Sequence, residues 1–99
     1  MKKTEGTSHS ERLRIQNAHA HEIELRLEPW GEQLSISRNV RYEIVATGPD
    51  GDCLEVEFEE KRITIWGWSG SILSVFHEGD LLCQCNIPVP ATAQRPEKQ

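Results

Sequence analysis

His21-Glu22-Ile23-Glu24-Leu25-Arg26-Leu27-Glu28 puts Ile23, Leu25 and Leu27 on one side of an extended chain and Glu22, Glu24, Arg26 and Glu28 on the other. Successive side chains of a strand leave opposite faces, so this period of two describes a strand with one buried and one wet face. Cys53-Leu54-Glu55-Val56-Glu57-Phe58-Glu59 alternates in the same way. Shorter or looser alternation recurs in residues 12–16, 33–37, 40–47, 62–68, 71–77 and 80–87. No stretch of roughly ten residues or more carries an apolar stripe at helical spacing.

Turn chemistry separates these segments. Gly48-Pro49-Asp50-Gly51-Asp52 is the strongest signal, with proline setting φ and Gly51 free to turn left-handed. Glu78-Gly79 reads as a two-residue hairpin, and Arg38-Asn39 as a turn in which asparagine tolerates positive φ. Pro88 and Pro90 close the series. The expected fold is all-β: an antiparallel β-sandwich of seven or eight short strands, with a small up-and-down β-barrel as the alternative. Its expected core contains Ile23, Leu25, Leu27, Leu34, Ile36, Tyr42, Ile44, Leu54, Val56, Phe58, Ile63, Ile65, Leu73 and Val75.

The 99 residues allow one domain, read as a β unit over residues 11–90 between flexible tails at 1–10 and 91–99. No apolar run reaches the length of about 18 residues that spans a bilayer. Lys2 and Lys3 are not followed by the apolar stretch of a signal peptide. Three cysteines without such a signal fit a reducing compartment, so the expected location is cytoplasmic. The net charge is -5, and each tail carries +1 (Lys2, Lys3, Glu5; Arg95, Glu97, Lys98), which leaves -7 on residues 11–90. A domain this acidic repels phosphate backbones, so nucleic acid and membrane are not expected partners. Basic proteins or cations suit it better, and simple solubility accounts for much of the charge.

Trp66-Gly67-Trp68 is the leading candidate for function. If Ile63 and Ile65 face the core, continued alternation places Thr64, Trp66 and Trp68 on the opposite face, and Trp30 in the loop Glu28-Pro29-Trp30-Gly31-Glu32 is a candidate to join them. Indoles on one face make a stacking platform for a ligand or a partner side chain. The competing reading has them covered by a tail, a strand or a second copy, which motivates a homodimer.

His19-Ala20-His21 and Cys83-Gln84-Cys85 are the metal candidates, since positions i and i+2 on a strand project from one face. Cys83 and Cys85 also fall in step with Leu81 and Ile87, so they read equally as core. His77 sits beside the acidic hairpin turn, and the rows Glu22/Glu24/Glu28 and Glu55/Glu57/Glu59 read as solvated faces.

Glu28-Pro29-Trp30-Gly31 and Tyr42-Glu43-Ile44-Val45-Ala46-Thr47-Gly48-Pro49 resemble strands of small cupredoxin-like or immunoglobulin-like bacterial sandwiches. The resemblance implies a sandwich and carries no site residues: the sole methionine is Met1, and no Cys-x-x-x-x-His run supplies copper ligands. Nucleophile elbows, zinc-protease motifs and phosphate loops are likewise missing from the sequence. The expectation is a small acidic non-catalytic binding or protein-interaction module without a cofactor. The alternative is a metal-binding sandwich using His19, His21, Cys83 and Cys85.

Overall fold

A computed structural model describes residues 8–91. The expected tails at 1–10 and 91–99 lie outside the described residues except at their inner ends, where Ser8, His9 and Ser10 already belong to the first strand. Eight strands form: β1 (Ser8–Gln16), β2 (Ile23–Glu28), β3 (Glu32–Ile36), β4 (Arg41–Pro49), β5 (Glu55–Glu59), β6 (Arg62–Trp66), β7 (Ile72–His77) and β8 (Asp80–Cys85). They make two four-stranded sheets, ordered β1-β4-β7-β8 and β3-β2-β6-β5. The molecule is an all-β sandwich.

Antiparallel pairing holds for neighbouring strands with one exception. β2 and β6 run parallel, in the register Leu25↔Ile63 and Leu27↔Ile65. The chain leaves β3 for β4 in the other sheet and returns through β5, so β6 enters beside β2 in the same direction. Hairpin-length connections do not reveal such an exchange between sheets.

The inward rows are those the alternation specifies. Ile23, Leu25, Leu27, Ile36, Tyr42, Ile44, Ile65, Leu73 and Val75 are buried together, with Leu34, Leu54, Val56 and Ile63 packed at their margin. Each fully buried aliphatic side chain of this kind stabilises the fold by roughly 1.5–3 kcal/mol. Phe58 is the correction. It is 75% exposed, although its partner Ile63 packs on the core. β5 is an edge strand with a hydrogen-bonded neighbour on one flank only, and Phe58 stands near its end.

Two polar connections join the layers. The His9 Nε2 atom lies 2.7 Å from Glu11 Oε2, while Glu11 Oε1 accepts the Leu54 N–H at 3.2 Å, so β1 grips the approach to β5. Asn17 is only 2% exposed, and its side chain is fully used. It donates to the carbonyls of His21 (2.8 Å) and Ile36 (3.1 Å) and accepts the His19 N–H (2.9 Å). Its own carbonyl accepts the Asn39 N–H at 2.8 Å. One side chain therefore shapes the whole β1–β2 connection, because a buried carbonyl left unmatched is costly. Replacing Asn17 by alanine removes its three side-chain bonds and takes the amide donor away from the His21 and Ile36 carbonyls. We expect a loss of about 2–3 kcal/mol, read as a urea midpoint lower by about 1–2 M.

Candidate functional site

Alternation carries β6 correctly as far as Trp66, which shares the outer face with Thr64. In the register it stands between Glu28 and Glu55. The strand then ends. The Gly67 N–H bonds to the Glu28 carbonyl, and Trp68 closes a tight loop with Ser71: its N–H donates to Ser71 Oγ and its carbonyl accepts the Ser71 N–H. This loop turns Trp68 inward. The indole is buried in the core, donates Nε1–H to the Pro49 carbonyl at 2.8 Å, and meets the His9 ring edge-on at 5.6 Å.

Trp30 is held by packing too. Its ring lies over Gly67, where an added Cβ would come within 2.5 Å of it, and its Nε1–H donates to the Ile87 carbonyl at 2.8 Å. Trp68 therefore leaves the outer face that Trp66 occupies, Trp30 packs against the same core cluster as Trp68, and Trp66 and Trp68 do not stand side by side on one face. The Ser69-Gly70 turn signal marked the end of the alternation at this point.

The metal candidates also separate. The rings of His19 and His21 stack 5.2 Å apart on the exposed β1–β2 connection that Asn17 shapes. Cys83 and Cys85 face inward from β8, opposite Val75 and Leu73. Among the described residues no three His, Cys, Asp or Glu side chains converge to hold a metal. The histidine and cysteine pairs do not form one four-ligand site.

Burial pushes the Cys85 thiol up to about 12, helped by the neighbouring Cys83 and the Glu32 carboxylate. Burial raises Cys83 as well, again with Glu32 contributing. His77 packs its ring 5.6 Å from that of Tyr42 and lies 3.8 Å from the Glu78 carboxylate.

The outer face of β3-β2-β6-β5 is a lattice of charges. Glu24 accepts from Arg26 at 3.0 and 3.3 Å and from Arg62 at 3.2 Å. Desolvation pulls its pKa upward, but the two guanidinium partners together outweigh this and hold it below the ordinary value. Outward positions here carry Glu24, Glu28, Glu55, Glu57 and Glu59 against Arg26 and Arg62. The strand positions of the opposite outer face, on β1-β4-β7-β8, carry Arg12, Arg14 and Arg41 against Glu43, with Glu78 of the β7–β8 turn beside Arg14 and Arg41. Arg12 and Arg14 both approach the Glu43 carboxylate, at 3.2 and 3.9 Å. The acidic chain thus has one locally basic face.

That basic face also bears an apolar cluster. In β8, Leu81 pairs with Phe76 and Cys83 with Val75, so Leu82 is an extra residue, a β-bulge. The bulge shifts the strand by one position. Leu81 leaves the cysteine face and stands outside beside Phe76, with Leu82 next to it; the two leucines are 51% and 46% exposed. Ile87, beyond the end of the strand, is exposed as well. The expected common face of Leu81, Cys83, Cys85 and Ile87 survives only in the cysteines. Val45, two positions along from Glu43 on β4, extends the apolar surface.

Compared with known proteins, the chain matches no family model, no curated protein and no solved structure.

The three thiols differ in exposure, which sets a testable order. Exposed Cys53 reacts first with a thiol-alkylating reagent near neutral pH, Cys83 more slowly, and buried Cys85 only as the chain unfolds. An unfolded cysteine titrates near 8.5 and folded Cys85 near 12. Its contribution to stability is therefore complete below about pH 8.5 and is lost as pH rises toward 12. Urea midpoints across that window should fall more steeply for the parent chain than for Cys85→Ala.

Proposed function

We propose that this chain is a non-catalytic protein-interaction module that docks its partner on the outer face of β1-β4-β7-β8. The observation that carries this reading is the bulge that holds Leu81 and Leu82 in solvent beside Phe76. An apolar cluster exposed within a polar rim is the usual mark of a recognition surface. Across the same face from the leucines, beyond β7 and β4, stand Arg12 and Arg14 of β1, with Glu43 beside them and Arg41 and Glu78 toward the β7–β8 turn. The complementary partner is a protein that presents apolar side chains inside an acidic border. The earlier expectation of a two-indole homodimer interface loses its motive, because Trp68 is covered by its own chain.

The test places a photo-cross-linking amino acid at position 81 in cells of the native host, identifies the captured protein, and measures its binding to the purified chain. Leu81→Ser with Leu82→Ser should weaken that binding by about 3 kcal/mol, more than a hundredfold. Phe58→Ser, at an exposed position on the other sheet, should leave it unchanged. Arg12→Glu with Arg14→Glu should slow association and reduce its dependence on salt. Cross-links solely to a second copy of the chain, or unaltered binding by the leucine variant, would overturn the reading.

A further inference from the structure

Of the four described sheet edges, β1 is the one with a long and regular run of backbone. It pairs with β4 along all nine residues, Ser8–Gln16, without a register shift. No described strand lies on its other flank, and the segment contains neither proline nor glycine. The remaining edges are five residues long, as in β3 and β5, or interrupted by a bulge, as in β8. A strand bonded on one side only presents N–H and C=O groups along the other. When it is long and regular it is a template for strand addition.

The side chains along this edge decide what fits. Arg12 and Arg14 stand outward, and Glu43 is the one described carboxylate within ion-pair distance of either, at 3.2 and 3.9 Å. Leu13 and Ile15 stand inward, packed at the margin of the core. Neighbouring strands keep the same sides in step, so an added strand needs acidic side chains outward and apolar ones inward. A second β1 laid centrally on the first would set arginine against arginine, which is destabilising. An exposed ring stands on the same flank. Glu11 of β1 accepts the Leu54 N–H just before β5, so β1 and β5 bound the same side of the sandwich. Phe58 of β5 has the inward register, paired with Ile63, yet it is 75% exposed.

We propose that the outer edge of β1 is a docking site for an extended segment of another protein that alternates acidic and apolar residues. The segment adds a fifth strand to β1-β4-β7-β8. Its backbone bonds to β1, its carboxylates lie beside Arg12 and Arg14, and its apolar side chains turn inward toward Leu13, Ile15 and the Phe58 ring. The site is separate from Leu81 and Leu82, which lie at the opposite edge of the same sheet, and does not depend on them.

The probe is a synthetic peptide, Thr-Glu-Val-Glu-Ile-Glu-Val-Glu-Thr, titrated into the full chain at physiological ionic strength and followed by NMR. One equivalent should bind and slow amide exchange along β1. The same peptide with lysine for each glutamate should bind about tenfold more weakly, although the chain's net charge of -5 would by itself favour it. Arg12→Glu with Arg14→Glu, at exposed positions, should reverse that preference. Two acidic peptides methylated at alternate backbone nitrogens, in opposite phase, report the backbone bonds. One phase should abolish binding and the other preserve it, since only every second N–H of an added strand faces its neighbour. Phe58→Ser should weaken binding severalfold, and Leu81→Ser with Leu82→Ser should leave it unchanged, so the two surfaces succeed or fail separately. Absence of saturable binding at millimolar peptide, equal binding of the acidic and basic peptides, or tolerance of both methylation phases would overturn the proposal. So would protection of β1 that grows with protein concentration in the absence of peptide, which gives the edge to a second copy of the chain.

Discussion

The hydrogen bond from Trp68 Nε1 to the Pro49 carbonyl clamps the two sheets together where the chain passes from one to the other. Trp68 follows β6 of one sheet, and Pro49 ends β4 of the other. Around this indole the structure has almost no freedom. A Cβ on Gly48 would lie 2.8 Å from the Ser71 Cα and 3.0 Å from the indole ring, so only glycine fits beside it. Ser71 is buried, and besides closing the loop with Trp68 it bonds through its carbonyl to the Val89 N–H, while the Val89 carbonyl accepts from Gly70. The segment after β8 is thereby tied to the same junction. With His9 of β1 against the ring edge, β1, the end of β4, the Trp68–Ser71 loop and the segment at Val89 all meet at this junction.

Period-two patterning made the layers legible wherever a strand is regular and covered on one side. Leu25 and Glu24, or Ile44 and Glu43, fall on the sides their polarity requires. The pattern misleads where regularity stops. Trp68 continues the alternation on paper, but the strand ends two residues before it, and the indole follows a loop instead. Leu81 is in phase with Cys83 until a bulge inserts Leu82 between them. Phe58 has the polarity of a core residue and the position of an edge residue. For Trp68 the local Ser69-Gly70 turn gives a hint, but for Phe58 and Leu81 the deciding information is nonlocal: what lies across the sandwich, or how many residues the neighbouring strand spends on the same distance. The parallel pairing of β2 with β6 belongs with these, since it follows from the order in which sheets are visited.

The four sheet edges are treated differently. β5 presents Glu55, Glu57 and Glu59, a row of like charge that discourages a second β5 from pairing with it. β3 is short, and β1 carries Arg12 and Arg14. Along β8 the outward residues are leucines and Gln84, and the protection comes from the bulge, which breaks the regular run of backbone donors and acceptors. The same irregularity that guards the edge against indiscriminate strand addition turns two leucines onto the flat face. Edge protection and apolar display are one geometric event.

The unequal charge of the two outer faces gives the molecule an electric axis through its thinnest dimension, from the glutamate-rich sheet toward the arginine-bearing one. Near a charged surface such an axis experiences a torque, so the molecule rotates before it touches. An acidic surface meets the arginine-bearing side more often than random tumbling provides, despite the overall negative charge. Dissolved salt shortens the range over which this alignment acts, to about 8 Å under physiological conditions. Which face arrives first is therefore set partly by the ionic medium and not by contact alone.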